Sequence, residues 1–147
     1  EILRCLVGSE MCIRDSVRQM LPMVGGHGIN LKDARQQMKT MMTVTRELKE
    51  GKIYLLFPEG KYGDNKNTLQ DFKAGVFKCA MDAKVPVIPV ALIDSYKAMD
   101  GNSLRKVTTQ VHYLKPIPYE EYKDMKKTEL AELTKSRIQE AINEYAK

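Results

Sequence analysis

A site that moves protons near neutral pH needs a general base, and the chain offers two histidines, His27 and His112. His27 has Asp33 downstream as a carboxylate that could orient it, whereas His112 has no acid nearby in sequence. A second kind of chemistry is suggested by Phe57-Pro58-Glu59-Gly60, which places a carboxylate and a flexible backbone together. Lys61 follows directly and can meet a phosphate as a point charge, though not as a bidentate fork. Cys79 stands beside Lys78 and Ala80 with no histidine at helical spacing, which fits a buried structural thiol better than a nucleophile. The three cysteines, Cys5, Cys12 and Cys79, lack metal-ligand spacing, so neither a zinc site nor a disulfide framework is implied and no metal is expected.

Elements must hold these groups in place. The apolar run 53–57 is β-prone and closes on Pro58; a second apolar run, 85–92, is apolar on both faces, as a strand buried on both sides requires. Between them 69–83 repeats Phe72, Val76, Phe77, Ala80 and Met81 at helical spacing. Strand, helix, strand in that order predicts a parallel βαβ unit, with the Glu59 loop at the carboxyl ends where open α/β sheets bind ligands. Upstream, 21–28 is punctuated by Pro22, Gly25, Gly26 and Gly28 and reads as a loop. Residues 32–50 form an amphipathic helix stopped by Gly51, with Met38, Met41 and Met42 expected in the core. Downstream, 61–68 is a polar loop and 107–114 alternates as a further strand broken by Pro116 and Pro118. Thr128 is the expected cap of a closing helix with one apolar face, on which Lys135 and Arg137 form a solvated side. The expected class is α/β, a mainly parallel central sheet flanked by helices in one domain without internal repeats.

Composition sets the bounds. The chain has 147 residues, 43% hydrophobic and 29% charged, an ordinary globular balance for a single core. The longest apolar run is interrupted by Pro89 and is far short of the ~20 residues of a membrane-spanning helix. A net charge of +5 suits an anionic partner, yet the basic residues are spread along the chain and no basic arm marks nucleic-acid binding.

The Phe57-Pro58-Glu59-Gly60 block, followed by Val85-Pro86-Val87-Ile88-Pro89-Val90, resembles the third and fourth sequence blocks of the glycerolipid acyltransferases that acylate lysophosphatidic acid. The resemblance implies an acyltransferase of phospholipid biosynthesis that takes a fatty acyl group from acyl carrier protein (acyl-ACP) or acyl-CoA to lysophosphatidic acid, with no cofactor. It also implies a peripheral place at the cytoplasmic face of a membrane surface. By the same resemblance Phe57, Pro58, Glu59, Gly60 and Lys61 bind the substrate's glycerol phosphate, with Lys61-Tyr62 standing where the family usually has Thr-Arg. In Gly28-Ile29-Asn30-Leu31-Lys32-Asp33, Asn30 and Leu31 replace the family's Asp-Arg, which leaves Lys32 and Arg35 as the phosphate contacts that could substitute.

The family's catalytic His-x-x-x-x-Asp block is not in this sequence. His27 with Asp33 is spaced one residue too long and lies downstream of the expected place, so no catalytic residue is assigned and the chain is expected to be inactive as it stands. Residues 1–16 resemble translated sequencing-adapter DNA and are expected to be a foreign leader, with 17–147 the C-terminal part of a single acyltransferase domain. Removing that segment takes away two basic and three acidic residues, so the positive balance survives. The rival reading is a non-catalytic α/β module that binds anionic lipid or phosphate through the region from Lys61 to Lys73. An upstream His-x-x-x-x-Asp block in the source gene would favour the enzyme.

Overall fold

The computed structural model describes the backbone of residues 4–8 and 27–29, and the chain through 33–60, 66–98 and 106–146. Asp33 opens the first helix. Its carboxylate accepts the backbone N–H groups of Arg35 and Gln36 at 3.0 and 3.1 Å, two of the donors that a helix start leaves free. This helix, α1, spans Ala34–Lys49 and is stopped by Gly51 at φ +85°. Val44 is fully buried, and Met41 and Leu48 share its stripe against Cys79, Tyr54 and Leu56.

Met38 and Met42 are 63% and 67% exposed, which corrects the expectation that all three methionines are core. Each residue rotates the helix by about 100°, so 38 and 42 share a stripe turned away from the one that carries 41, 44 and 48.

Arg4–Gly8 forms β1, His27–Ile29 forms β2 and Tyr54–Leu56 forms β3, in a parallel sheet of order β2-β1-β3. His27 and Gly28, expected in a loop, thus belong to a strand; the punctuating Pro22, Gly25 and Gly26 all precede it. The middle strand comes from the segment expected to be foreign. A parallel ladder is made by backbone groups, which every non-proline residue carries.

After β3 the chain turns at Phe57–Gly60 and returns through 66–73 without regular structure. Helicity begins only with a 3₁₀ turn at Ala74–Phe77, continued by α2 at Lys78–Ala83, so the helix expected from 69 starts five residues late. Two backbone N–H groups of the missing turn are engaged elsewhere, Gln70 to Glu59 and Lys73 to Pro58.

β4, Val90–Ile93, pairs antiparallel with β5, Gln110–Tyr113, in a second sheet. Here the expectation of one central strand over 85–92 fails. Pro86 and Pro89 carry no N–H, and ahead of β4 only Val87 forms a bridge, exchanging backbone bonds with Ile117 at 3.0 and 2.7 Å. Ile88 and Leu92 are 52% and 41% exposed, so the run is not buried on both sides. Among the described residues β3 and β4 are neither a hydrogen-bonded parallel pair nor a hairpin, because they lie in separate sheets.

α3, Tyr119–Tyr122, leads into α4, Lys127–Tyr145, whose Ile138, Ala141 and Ile142 cover Ala91 and Ile93 of β4. The start of α4 is closed by Glu129, which accepts the Lys126 N–H at 2.8 Å; Thr128 lies inside the helix rather than capping it. Lys135 and Arg137 are not a free solvated side: Lys135 pairs with Asp71 at 2.9 Å and Arg137 with Glu121. The α/β class stands, built as one parallel and one antiparallel sheet joined by helices.

Candidate functional site

Strand β3 stops because Pro58 cannot extend its ladder, and the four residues Phe57 to Gly60 close a turn. The Gly60 N–H donates to the Phe57 carbonyl at 3.2 Å, with proline at the second position where its fixed φ is favourable. Gly60 itself sits at φ +73°, a left-handed conformation open to glycine at little cost. The turn is then clamped from outside. Lys73 donates its N–H to the Pro58 carbonyl at 2.7 Å, and Gln70 donates its N–H to Glu59 Oε2 at 3.3 Å. All four turn residues are half-buried, so Glu59 is a held carboxylate and not a solvated loop charge.

The same return segment reaches the end of β4. Asn67 Nδ2 donates to Asp94 Oδ1 at 3.1 Å, and the Asp94 N–H donates to Asn67 Oδ1 at 2.9 Å. Asp94 follows Ile93 at φ +59° and also holds Lys97 at 2.7 Å; that partner, then Asn67, keeps its carboxyl below the usual range. Residues 67–73 therefore bring the carboxyl ends of β3 and β4 to one place although the strands share no ladder.

Charge around the turn is layered. Asp71 is held by Lys135, whose hydrogen bond and charge keep the carboxyl below its ordinary value, with a smaller contribution from Lys73. Lys135 is raised in return, first by Asp71, and the charge of Glu59 contributes to it as well. The turn thus lies among charges of both signs, Glu59 and Asp71 against Lys73 and Lys135. Among the described residues no three His, Cys, Asp or Glu side chains converge as a metal site.

Phe57, Pro58, Glu59 and Gly60 form one turn, to which the structure ties Gln70 and Lys73, residues that the helical pattern over 69–83 concealed, while Asn67 of the same return segment holds Asp94. The region from Lys61 to Lys73 carried a hint of them in its polar residues. Lys61 and Lys32 lie outside the described residues. Arg35 is exposed in the first turn of α1 and makes no hydrogen bond or ion pair with the Glu59 turn. Asp33 uses Oδ1 as the cap of α1, which takes that oxygen away from any partnership with His27. His112 lies in β5, where Nε2 meets Gln110 Oε1 at 3.0 Å and the ring stacks on Tyr145 with centroids 4.3 Å apart. Cys79 is 1% exposed and burial pushes its thiol up to about 11, as expected of a structural residue. A groove lined by Lys78, Met81, Asp82, Lys126, Lys127 and Thr128 shares no residue with the turn, and its Lys78–Asp82 pair, 3.0 Å apart, satisfies its own charges.

A family model described as Acyltransferase matches residues 1–93, which ends with β4. The 1-acyl-sn-glycerol-3-phosphate acyltransferase of Salmonella typhimurium is 28% identical over 130 residues, covering 88% of this chain and 53% of that protein. The Escherichia coli protein of the same name is 31% identical over 109 residues, 74% of this chain and 44% of its own length. The chain thus spans about half the length of the curated relatives it matches. The crystal structure of the 1-acyl-sn-glycerophosphate (LPA) acyltransferase PlsC from Thermotoga maritima is similar in fold, with a TM-score of 0.67 and 15% identity over 96% of this chain and 56% of that one. With the family model matching well over half of its residues, the chain belongs to the acyltransferase family.

Proposed function

We propose that the chain is part of a 1-acyl-sn-glycerol-3-phosphate acyltransferase of phospholipid synthesis, acting on lysophosphatidic acid. The hydroxyl oxygen of the acceptor attacks the carbonyl of an acyl thioester, the new ester forms, and the thiol of acyl carrier protein or coenzyme A leaves with the proton. Residues 17–147 carry the acceptor side of that reaction; residues 1–16 are a foreign leader whose stretch Arg4–Gly8 enters the sheet through backbone bonds. The observation that carries the reading is the Phe57–Gly60 turn, clamped at the carboxyl end of β3 by Gln70 and Lys73.

In this reading Phe57, Pro58, Glu59 and Gly60 line the glycerol phosphate and Lys61, next in sequence, meets its phosphate, with Lys32 and Arg35 as further cations. The proton of the hydroxyl is taken by a histidine of the His-x-x-x-x-Asp block, which this sequence lacks. The protein works peripherally at the cytoplasmic face of the membrane; among the described residues no helix is long and apolar enough to cross it.

The test uses a protein that carries an upstream His-x-x-x-x-Asp block. One charge-assisted contact contributes about 1.5–3 kcal/mol, so Lys61→Ala should weaken the apparent affinity for lysophosphatidate by roughly ten- to a hundredfold. Lys66→Ala, on the same loop, should not. If the two variants behave alike, Lys61 belongs to a general basic surface and the site assignment fails.

A further inference from the structure

We propose that Lys73 is a phosphate-binding cation of the acceptor site, held beside Gly60. The inference rests on the acceptor reading of the turn. A phosphate monoester carries a charge of about −1.5 to −2 at neutral pH, and Glu59 adds a carboxylate to the same half-buried turn. A single ammonium does not balance that much negative charge. Where the related block presents a guanidinium fork, Lys61 offers one point charge.

Lys73 is built into the turn from two directions. Its backbone N–H holds the Pro58 carbonyl at 2.7 Å, which fixes the start of the side chain beside the turn. Its stem then lies over Gly60: a Cβ on that glycine would be 3.5 Å from Lys73 Cγ and 4.0 Å from Cε. The stem thus packs on the backbone of position 60 at ordinary contact distance, and Lys73 as a whole is exposed.

The neighbouring carboxylates have other principal partners. Asp71, the nearest carboxylate in sequence, is held by Lys135 at 2.9 Å, and Glu59 is held by the Gln70 N–H. Among the described residues Lys73 forms no ion pair, while Lys78, Lys97 and Lys135 each have one. Lys73 acts on Asp71 only as a minor charge behind Lys135, which leaves its ammonium able to meet an external anion.

The experiment compares two lipids on the 1–147 chain. The dissociation constants of 1-oleoyl lysophosphatidate and of 1-oleoylglycerol, which lacks the phosphate, are measured below their aggregation concentrations. Lys73→Met keeps the stem over Gly60 and removes only the charge; Lys73→Arg restores a cation; Lys123→Met controls for total charge. The expected result is that Lys73→Met weakens lysophosphatidate roughly tenfold or more. It should leave 1-oleoylglycerol unchanged, with Lys73→Arg recovering most of the loss and Lys123→Met close to wild type.

If Lys73→Met keeps the preference for the phosphorylated lipid, or weakens both lipids equally, Lys73 is a structural clamp and the assignment is overturned. Lys123→Met matching Lys73→Met would overturn it too, as a net-charge effect. A wild-type chain that shows no preference for lysophosphatidate overturns the acceptor reading of the turn itself, so the two failures are distinct.

Discussion

Gln70 donates its backbone N–H to Glu59 Oε2 across 3.3 Å, eleven residues apart in sequence. That bond, with the one from Lys73 to Pro58, ties the turn to the return segment, whose helix begins only at Ala74. The carboxylate is thereby oriented by the backbone of the segment that also carries Lys73.

Gly60 is the residue whose replacement should test this arrangement most simply. Its φ of +73° is strained for any residue with a Cβ, whereas the space itself is not forbidding, since the nearest atom, Lys73 Cγ, would be at 3.5 Å. Gly60→Ala is therefore expected to lower stability by about 1–2 kcal/mol, the usual penalty for a left-handed alanine. Gly60→Asn should cost less, because asparagine tolerates that conformation. Urea denaturation of the three proteins measures the difference. An alanine variant as stable as wild type would show that the turn can relax to negative φ.

How much of this was legible in the sequence depends on where backbone bonds go. The end of β3 and the start and stop of α1 could be read, because Pro58, Asp33 and Gly51 act locally. The late start of α2 could not, since Phe72, Val76 and Phe77 keep helical spacing whether or not the backbone at 69–73 is helical. The same limit applies to 85–92, where hydrophobicity promised a central strand and the two prolines reduced it to a bridge and a short edge pair. The candidate site was half visible. Phe57 to Gly60 form a contiguous motif, but Gln70, Lys73 and Asp94 join it only through long-range bonds that no periodicity encodes.

Cys79 gives the fold a pH signature. Its thiol, normally near 9.0, is pushed up to about 11 by burial, so the native state holds a proton that the unfolded chain releases. Stability from this group is fully present below pH 9.0 and is lost as pH rises towards about 11. A shift of that size corresponds to at most about 2–3 kcal/mol. Cys79→Ala should be less stable at pH 8 through lost packing, yet decline less steeply between pH 9 and 11. Tyr122, pushed up to about 12 chiefly by burial and further by Tyr119 and Cys79, is present in both proteins, so only the smaller part of its shift that comes from Cys79 differs between them. Parallel stability profiles for wild type and Cys79→Ala across that range would contradict the buried-thiol assignment.

The last prediction concerns turnover. Acyl transfer to a hydroxyl needs a base within reach of the proton, typically contributing 10²–10⁴-fold. In this chain Asp33, the acid that could orient His27, has Oδ1 hydrogen-bonded to two backbone amides of α1. His112 is stacked on Tyr145 in the antiparallel sheet and bonded to Gln110. Among the described residues His112 is paired with no carboxylate. The 1–147 chain is therefore expected to bind lysophosphatidate but not to acylate it, with product formation from acyl-CoA or acyl-ACP no faster than in a protein-free control. Turnover above that control, abolished by His27→Ala, would show that His27 serves as the base without Asp33. Turnover that survives both His27→Ala and His112→Ala would place the chemistry on a different group altogether.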